Sequence, residues 1–238
     1  MEFEIENGVL KKIHMLYFGD DDIKDIVIPY GVTKIGYQAF ASDRHQIDSI
    51  TIPDTVTEIE DEAFSGCQIL KNLTIPDSVI SIGNNAFFEC DRLESVTIGK
   101  NVISIGDRAF YDCRSLKSVT IGNSVTSIGE FAFASDEKLE SVIFGNSLTS
   151  IGRFAFSGCT SLKSITLPDS VTEIGESAFD YCPALTDLTI GKGVKVFGEY
   201  VFGECDNLKT VTLPDREFKL DRKLFSEYSD FIINYKED

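Results

Sequence analysis

Residues 93–115, with the sequence LESVTIGKNVISIGDRAFYDCRS, contain the pattern that decides the fold. Val96 and Ile98 alternate with polar residues, which is the periodicity of a half-buried β-strand. A glycine then ends the strand, and Val102 and Ile105 supply a second short apolar segment. The stretch therefore predicts one strand, a turn and a second buried segment within a single unit.

The same unit recurs along most of the chain. Its phenylalanine occurs nine times, with a spacing of 24 residues once and 23 residues seven times. The repeated residues are Phe40, Phe64, Phe87, Phe110, Phe133, Phe156, Phe179, Phe202 and Phe225. A unit this short cannot bury its apolar side chains alone, so successive units must stack and share one continuous core. The spacing therefore predicts a solenoid of nine coils.

The order of charges gives a second indication of stacking. The first variable position of the predicted strand alternates in sign across seven successive coils. Its residues are Lys24, Asp48, Lys71, Glu94, Lys117, Glu140 and Lys163. If the strands stack in parallel and in register, these residues are nearest neighbours, and opposite charges attract whereas like charges repel. The alternation therefore favours in-register stacking.

Two further positions of the repeat concern the turn after the second segment. A glycine lies four residues before the repeated phenylalanine in seven coils, and we interpret it as a turn that needs a positive φ. These glycines are Gly36, Gly83, Gly106, Gly129, Gly152, Gly175 and Gly198. The next position is mostly acidic, and we interpret its carboxylates as lying at the start of a short helical turn, with a calcium or basic-partner strip as the alternative.

These units resemble the BspA-like (treponemal) type of leucine-rich repeat, in which a Leu-x-x-Val-x-Ile strand is followed by an Ile-Gly-x-x-Ala-Phe-x-x-Cys return. The resemblance covers residues 23–217. It implies a β-rich α/β solenoid, a right-handed superhelix of about nine 23-residue coils with parallel strands on one face and short helical turns. It also implies a protein without catalytic residues, in a family whose members include surface proteins that bind host or matrix proteins.

The ends of the chain depart from the repeat. Asn7 and Gly8 stand between apolar residues, which is a strong signal for a β-hairpin. We therefore predict three parts: an N-terminal hairpin cap over residues 1–22, the leucine-rich repeat solenoid over residues 23–217, and a C-terminal cap over residues 218–238.

The composition excludes several classes of function. The chain has 238 residues and a formal net charge of −17, which repels nucleic acid and disfavours an anionic membrane surface. No apolar stretch approaches the roughly 18 residues of a spanning helix, so membrane insertion is not expected. The sequence starts Met1-Glu2-Phe3-Glu4, without the basic and apolar residues of an export signal. We expect a cytoplasmic protein, or a secreted or surface protein if a signal has been trimmed.

Six cysteines share one position of the repeat, and Asp43 and Asp136 fill it in two other coils. The cysteines are Cys67, Cys90, Cys113, Cys159, Cys182 and Cys205. We interpret them as a ladder of buried thiols, with disulfides between neighbours as the alternative in an exporting compartment. A ladder cannot surround a zinc ion tetrahedrally, and His14 and His45 have no paired nucleophile pattern. No catalytic residue, metal site or cofactor is predicted.

Two surfaces are candidate binding sites for a protein or peptide partner. The first is an apolar patch of Phe131, Phe154 and Tyr200, which lie two residues before the repeated phenylalanine. The second, which we call the hydroxyl face, consists of the side chains that point outward from the strands of the predicted concave sheet. It contains Ser95, Thr97, Ser118, Thr120, Ser141, Ile143, Ser164 and Thr166. The alternatives are that the rings pack flat over a neighbouring turn, and that small hydroxyl residues simply suit an exposed strand.

The pattern favours a non-enzymatic protein-interaction module that presents a rigid surface to a protein or peptide. The first alternative is a bacterial cell-surface adhesin or a component that binds glycan or matrix. The second is a self-assembling scaffold, in which the apolar patch supports a weak homo-oligomer.

Overall fold

The computed structural model describes residues 1–14, 24–41, 47–225 and 230–236. These residues form a solenoid with two sheets of ten strands each, and successive coils add one strand to each sheet. The predicted fold class is confirmed, because stacked coils of about 23 residues pair their strands in parallel. Among the described residues the only helix is a short 3-10 helix, η1 (Arg222–Leu224), so turns take the place of the predicted helical turns.

The first sheet, which we call the long-strand sheet, consists mainly of strands of three to five residues. Strands are numbered along the chain. In spatial order it contains β3 (Lys24–Val27), β5 (Ile47–Thr51), β7 (Asn72–Thr74), β9 (Ser95–Thr97), β11 (Ser118–Thr120), β13 (Ser141–Ile143), β15 (Ser164–Thr166), β17 (Asp187–Thr189), β19 (Thr210–Leu213) and β20 (Ile232–Tyr235).

The second apolar segment of each coil forms a sheet of its own, so parallel strands occupy two faces and not the single face that was predicted. Most of its strands have two residues, and we call it the short-strand sheet. In spatial order it contains β1 (Glu2–Glu6), β2 (Val9–His14), β4 (Lys34–Ile35), β6 (Glu58–Ile59), β8 (Ser81–Ile82), β10 (Ser104–Ile105), β12 (Ser127–Ile128), β14 (Ser150–Ile151), β16 (Glu173–Ile174) and β18 (Val196–Phe197).

The register between neighbouring coils equals one repeat. Val119 pairs with Val96 on one side and with Val142 on the other, and Ile105 pairs with Ile128 in the short-strand sheet. Because side chains alternate along a strand, this register keeps Val96, Val119 and Val142 in line with one another on the inner side. The core is therefore one continuous column along the solenoid.

The repeated phenylalanines form the centre of this column. From Phe40 to Phe225 each ring stacks on the next, with centroid separations of 4.5–5.6 Å. All nine side chains are buried. Stacked rings at this separation add favourable contacts to the burial of their apolar area. We call this column the phenylalanine ladder.

Each end of the ladder is covered by a segment outside the repeat. At the N-terminal end β1 and β2 form an antiparallel hairpin, and β2 pairs in parallel with β4. Positive φ at both Asn7 and Gly8 gives the tight turn between them. At the other end Phe231 packs on Phe225 with ring centroids 4.8 Å apart. Residues 15–23, which belong to the predicted N-terminal cap and the first coil, lie outside the described part of the chain.

The glycine that recurs four residues before the ladder phenylalanine has a different role from the one predicted. Gly106 and its equivalents do not have a positive φ. The residue with a positive φ comes two residues later in the chain, as at Arg108, whose φ is 52°. A Cβ on Gly106 would lie only 2.7 Å from the carbonyl carbon of Gly83 in the preceding coil. Glycine is therefore required because the backbones of neighbouring coils approach each other too closely for a side chain.

We predict that Gly106→Ala lowers the free energy of unfolding by about 1–3 kcal/mol, because the added methyl group overlaps the backbone of the preceding coil. Gly122→Ala is the matched control, since its Cβ would lie 3.5 Å from the nearest atom, the carbonyl oxygen of Gly99. This control is expected to be neutral or slightly stabilising. Denaturant unfolding of both variants measures the difference, and equal losses of stability would contradict the explanation.

Candidate functional site

The structure brings two residues of the apolar patch together and leaves the third apart. Phe131 and Phe154 stack with ring centroids 4.8 Å apart and an interplanar angle of 8°, and both are half-buried. Tyr200 lies two coils farther along, because Ser177 occupies the equivalent position between them. Tyr200 is 59% exposed and lines a separate open cavity beside Phe225.

Two more aromatic side chains continue the patch in the other direction. Tyr111 meets Phe131 edge to face at 6.4 Å, and Phe88 stacks on Tyr111 at 5.3 Å. The four rings of Phe88, Tyr111, Phe131 and Phe154 therefore form one continuous row across four coils, which we call the aromatic strip. Phe88 and Tyr111 were not predicted as part of the patch because they occupy a different position of the repeat, directly after the ladder phenylalanine.

Two arginines lie against the strip. The guanidinium of Arg108 is 4.9 Å from the ring centroid of Phe131, and that of Arg153 is 5.7 Å from the centroid of Phe154. Both distances are within the range of a cation–π interaction. Arg153 also donates a hydrogen bond of 2.8 Å from Nη2 to Glu176. The rings and guanidinium groups therefore lie against one another at the surface.

The acidic position beside the strip links neighbouring coils. Asp61 Oδ1 accepts a hydrogen bond from the backbone N–H of Asn84 at 2.7 Å, and Asp107 Oδ1 accepts one from the N–H of Glu130 at 2.8 Å. The prediction that these carboxylates lie at the start of a helical turn is wrong, because the described residues form no helix there. Short acidic and amide side chains suit the position since they satisfy an amide of the next coil.

The residues of the hydroxyl face form rows along the long-strand sheet. Ser118 lies in register between Ser95 and Ser141. All eight residues of the hydroxyl face are exposed. Ile143, with 63% of its surface exposed, is its one large apolar side chain. This face lacks the aromatic and arginine side chains that concentrate binding energy at protein interfaces.

The alternating charges pair along the edge of this face, as predicted. Lys117 Nζ lies 2.6 Å from Glu94, Lys163 Nζ lies 2.5 Å from Glu140, and a third pair joins Lys71 to Asp48 at 2.9 Å. The hydrogen bond from its lysine holds the pKa of Glu94 and of Glu140 below the ordinary value. The side chain of Lys24 lies outside the described part. The pairs indicate register and are too exposed to contribute much stability.

The cysteine position is buried, and no disulfide joins these residues in the described part of the chain. Sγ of Cys113 donates to the carbonyl oxygen of Phe87 at 3.3 Å, and four other cysteines make the equivalent contact. Asp136 replaces cysteine in one coil, where its Oδ1 accepts a hydrogen bond of 2.8 Å from the N–H of Cys113. Its Oδ2 has no hydrogen-bond partner among the described residues, and burial raises the pKa of this carboxyl well above its ordinary value. Asp43 lies outside the described part.

Within the described ranges no three His, Cys, Asp or Glu side chains are grouped so as to hold a metal ion. No helix in this part of the chain has the length and apolar character needed to cross a bilayer.

Comparisons with known proteins agree with the geometry. A family model described as the BspA type leucine rich repeat region matches residues 11–140 and 126–234, with six copies. The crystal structure of the leucine-rich repeat protein TpLRR from T. pallidum is similar, with 27% identity over 87% of each chain and a TM-score of 0.64. A search of proteins with curated functions found no match.

A second solved structure is a leucine-rich cell surface protein from Faecalibacterium prausnitzii. It is 30% identical to the chain, with a TM-score of 0.54. The match covers 81% of this chain and 60% of that one.

The buried carboxyl of Asp136 predicts a pH dependence of stability. Folding raises the pKa of this carboxyl. Its contribution to the free energy of unfolding is therefore fully present below the unfolded pKa of about 3.9, and it is lost as the pH rises through the folded pKa. Asp136→Asn and Asp136→Cys both remove this titration. We expect either variant to gain more than about 1 kcal/mol relative to the wild type between pH 4 and pH 8. Urea unfolding at a series of pH values measures this, and a constant difference would contradict it.

Proposed function

Because the chain belongs to the BspA-type leucine-rich repeat family, we propose that it is a non-enzymatic binding module whose aromatic strip takes up a segment of a partner protein. The single observation that carries the proposal is the continuous row of four surface rings, flanked by two arginines. The family assignment supports the general role of a protein-interaction or surface protein.

The composition of the strip supports its choice over the hydroxyl face. Aromatic and arginine side chains are enriched at binding hot spots, whereas serine and threonine are under-represented there. The rings are already stacked on one another, so little conformational entropy is lost when a partner covers them. The strip therefore offers both binding energy and a fixed shape.

The charges around the strip indicate the chemistry of the partner. Glu89 follows Phe88 and Glu130 precedes Phe131 in the chain, and the protein has a net charge of −17. The carboxylate of Asp112, which follows Tyr111, is already paired with Arg114 at 2.7 Å. One of the two arginines is already engaged with Glu176. The surface is therefore complementary to a segment that combines aromatic or aliphatic side chains with lysine or arginine.

A role at the cell surface is the second candidate function. It is favoured by the 30% identity to a leucine-rich cell surface protein. In that setting the same strip would bind a basic, apolar segment of a matrix or host protein.

We expect Phe131→Asn combined with Phe154→Asn to weaken peptide binding at least tenfold. Asn85 occupies the same position with φ of 52°, so asparagine suits this backbone and the fold is preserved. The probe is a set of 12-residue peptides selected on the wild-type protein from a random library, with binding measured by calorimetry. Loss of two hot-spot aromatics accounts for the effect.

Tyr200→Asn is the matched control, since it makes the same change at the same repeat position outside the strip. It is expected to leave the affinity unchanged. Selected peptides that lack basic residues, or that bind the double variant as well as the wild type, would overturn the proposal.

A further inference from the structure

In the described part of the chain the long-strand sheet ends at β20, and one edge of this strand has no paired neighbour. The backbone N–H of Ile232 donates to the carbonyl oxygen of Lys209 at 2.8 Å, and that of Lys236 donates to Leu213 at 2.9 Å. Because the N–H and C=O groups of alternate residues point to the same side of a strand, those of Ile233 and Tyr235 point away from β19. Among the described residues no further strand pairs with them.

The side chains of this edge strand are also exposed. Ile232 is 68% exposed, Ile233 38% and Tyr235 37%, although β-branched and aromatic residues favour pairing in a sheet. Natural sheets protect an edge by proline, by bulges or by charged residues within the strand. Within β20 the sequence Ile-Ile-Asn-Tyr contains none of these.

We propose that the open edge of β20 is an interface at which a second copy of this chain adds its own β20 in antiparallel orientation. The two long-strand sheets would then join into one, around a two-fold axis that closes the assembly as a dimer. This surface is distinct from the aromatic strip and does not depend on the function proposed for it.

Charge complementarity supports the second copy as the occupant. In the register that places Ile233 opposite itself, Asp230 of each copy faces Lys236 of the other. The ammonium of Lys236 lies 3.3 Å from Asp169 of its own chain, an exposed ion pair that leaves it within reach of a second carboxylate. The same register keeps Ile233 and Tyr235 among the pairs whose backbone groups face the partner. The strand is therefore complementary to itself in both charge and hydrogen bonding.

The association is expected to be weak. A single pair of edge strands buries less area than a standard interface, and two copies with a net charge of −17 repel each other. We expect a dimer with a Kd on the order of 10–1000 µM when 0.5 M NaCl screens this repulsion.

Sedimentation velocity of the full chain from 10 µM to 2 mM in 0.5 M NaCl tests the proposal. Ile232→Lys adds a like charge on both sides of the interface, and Ile233→Pro removes an N–H that points to the open edge without removing a hydrogen bond to β19. Each is expected to weaken the dimer at least tenfold. Ile143→Lys is the matched control, because it makes the same change at a 63% exposed isoleucine in a central strand. It should leave the dimer unchanged.

Charge exchange tests the register. Asp230→Lys alone should weaken the dimer, and addition of Lys236→Asp with Asp169→Asn, which removes the carboxylate 3.3 Å from Lys236, should restore it. A wild-type chain that stays monomeric to 2 mM would overturn the proposal. So would an equal effect of Ile232→Lys and Ile143→Lys, or loss of the dimer in the Phe131→Asn, Phe154→Asn variant, which would place self-association at the aromatic strip.

Discussion

Backbone hydrogen bonding between successive coils is the constraint on which the rest of the structure depends. The N–H of Phe87 donates to Ala109 in the next coil at 2.7 Å, and the N–H of Phe110 donates to Ala132 at 2.8 Å. Each coil is thereby fixed at about one strand spacing, 4.8 Å, from the next. At this distance equivalent side chains touch, which stacks the phenylalanine rings and leaves no room for a Cβ on Gly106.

The same constraint separates positions that are fixed from positions that are free. Inner positions must fit the identical residue above and below, so Phe, Ala and Leu recur there. Outer positions contact only the neighbouring coils, and their residues vary without disturbing the core. The aromatic strip is formed at such variable positions, where a few coils depart from the rest. We therefore expect functional residues in this fold at surface positions where the residues of a few coils differ from those of the other coils.

Much of the fold could be predicted from the sequence because its cause is local and periodic. The alternation at Val96 and Ile98 predicted the long strands, and the sign alternation predicted the pairing of Lys117 with Glu94. The short-strand sheet was harder to predict, because two residues such as Ser104–Ile105 are too few to show an alternation. The role of Gly106 could not be predicted either, since it depends on how closely two backbones approach.

The candidate site could be predicted only in part. Phe131 and Phe154 share one position of the repeat, so their contact followed from the period alone. Phe88 and Tyr111 belong to another position, and their contact with Phe131 depends on how the turns of successive coils are offset. Tyr200 occupies the same position of the repeat as Phe131 and Phe154, but it does not contact them because Ser177 occupies this position in the coil between Phe154 and Tyr200.

A pair of double-mutant cycles tests the central claim most directly. Phe87→Leu and Phe110→Leu change adjacent rings, 5.0 Å apart, whereas Phe87→Leu and Phe179→Leu change rings separated by three coils. Equilibrium unfolding of the single and double variants should give a coupling free energy of about 0.5–1.5 kcal/mol for the adjacent pair and additivity within about 0.3 kcal/mol for the distant pair. Equal coupling in both cycles, or none in either, would contradict the stacking of residues one repeat apart.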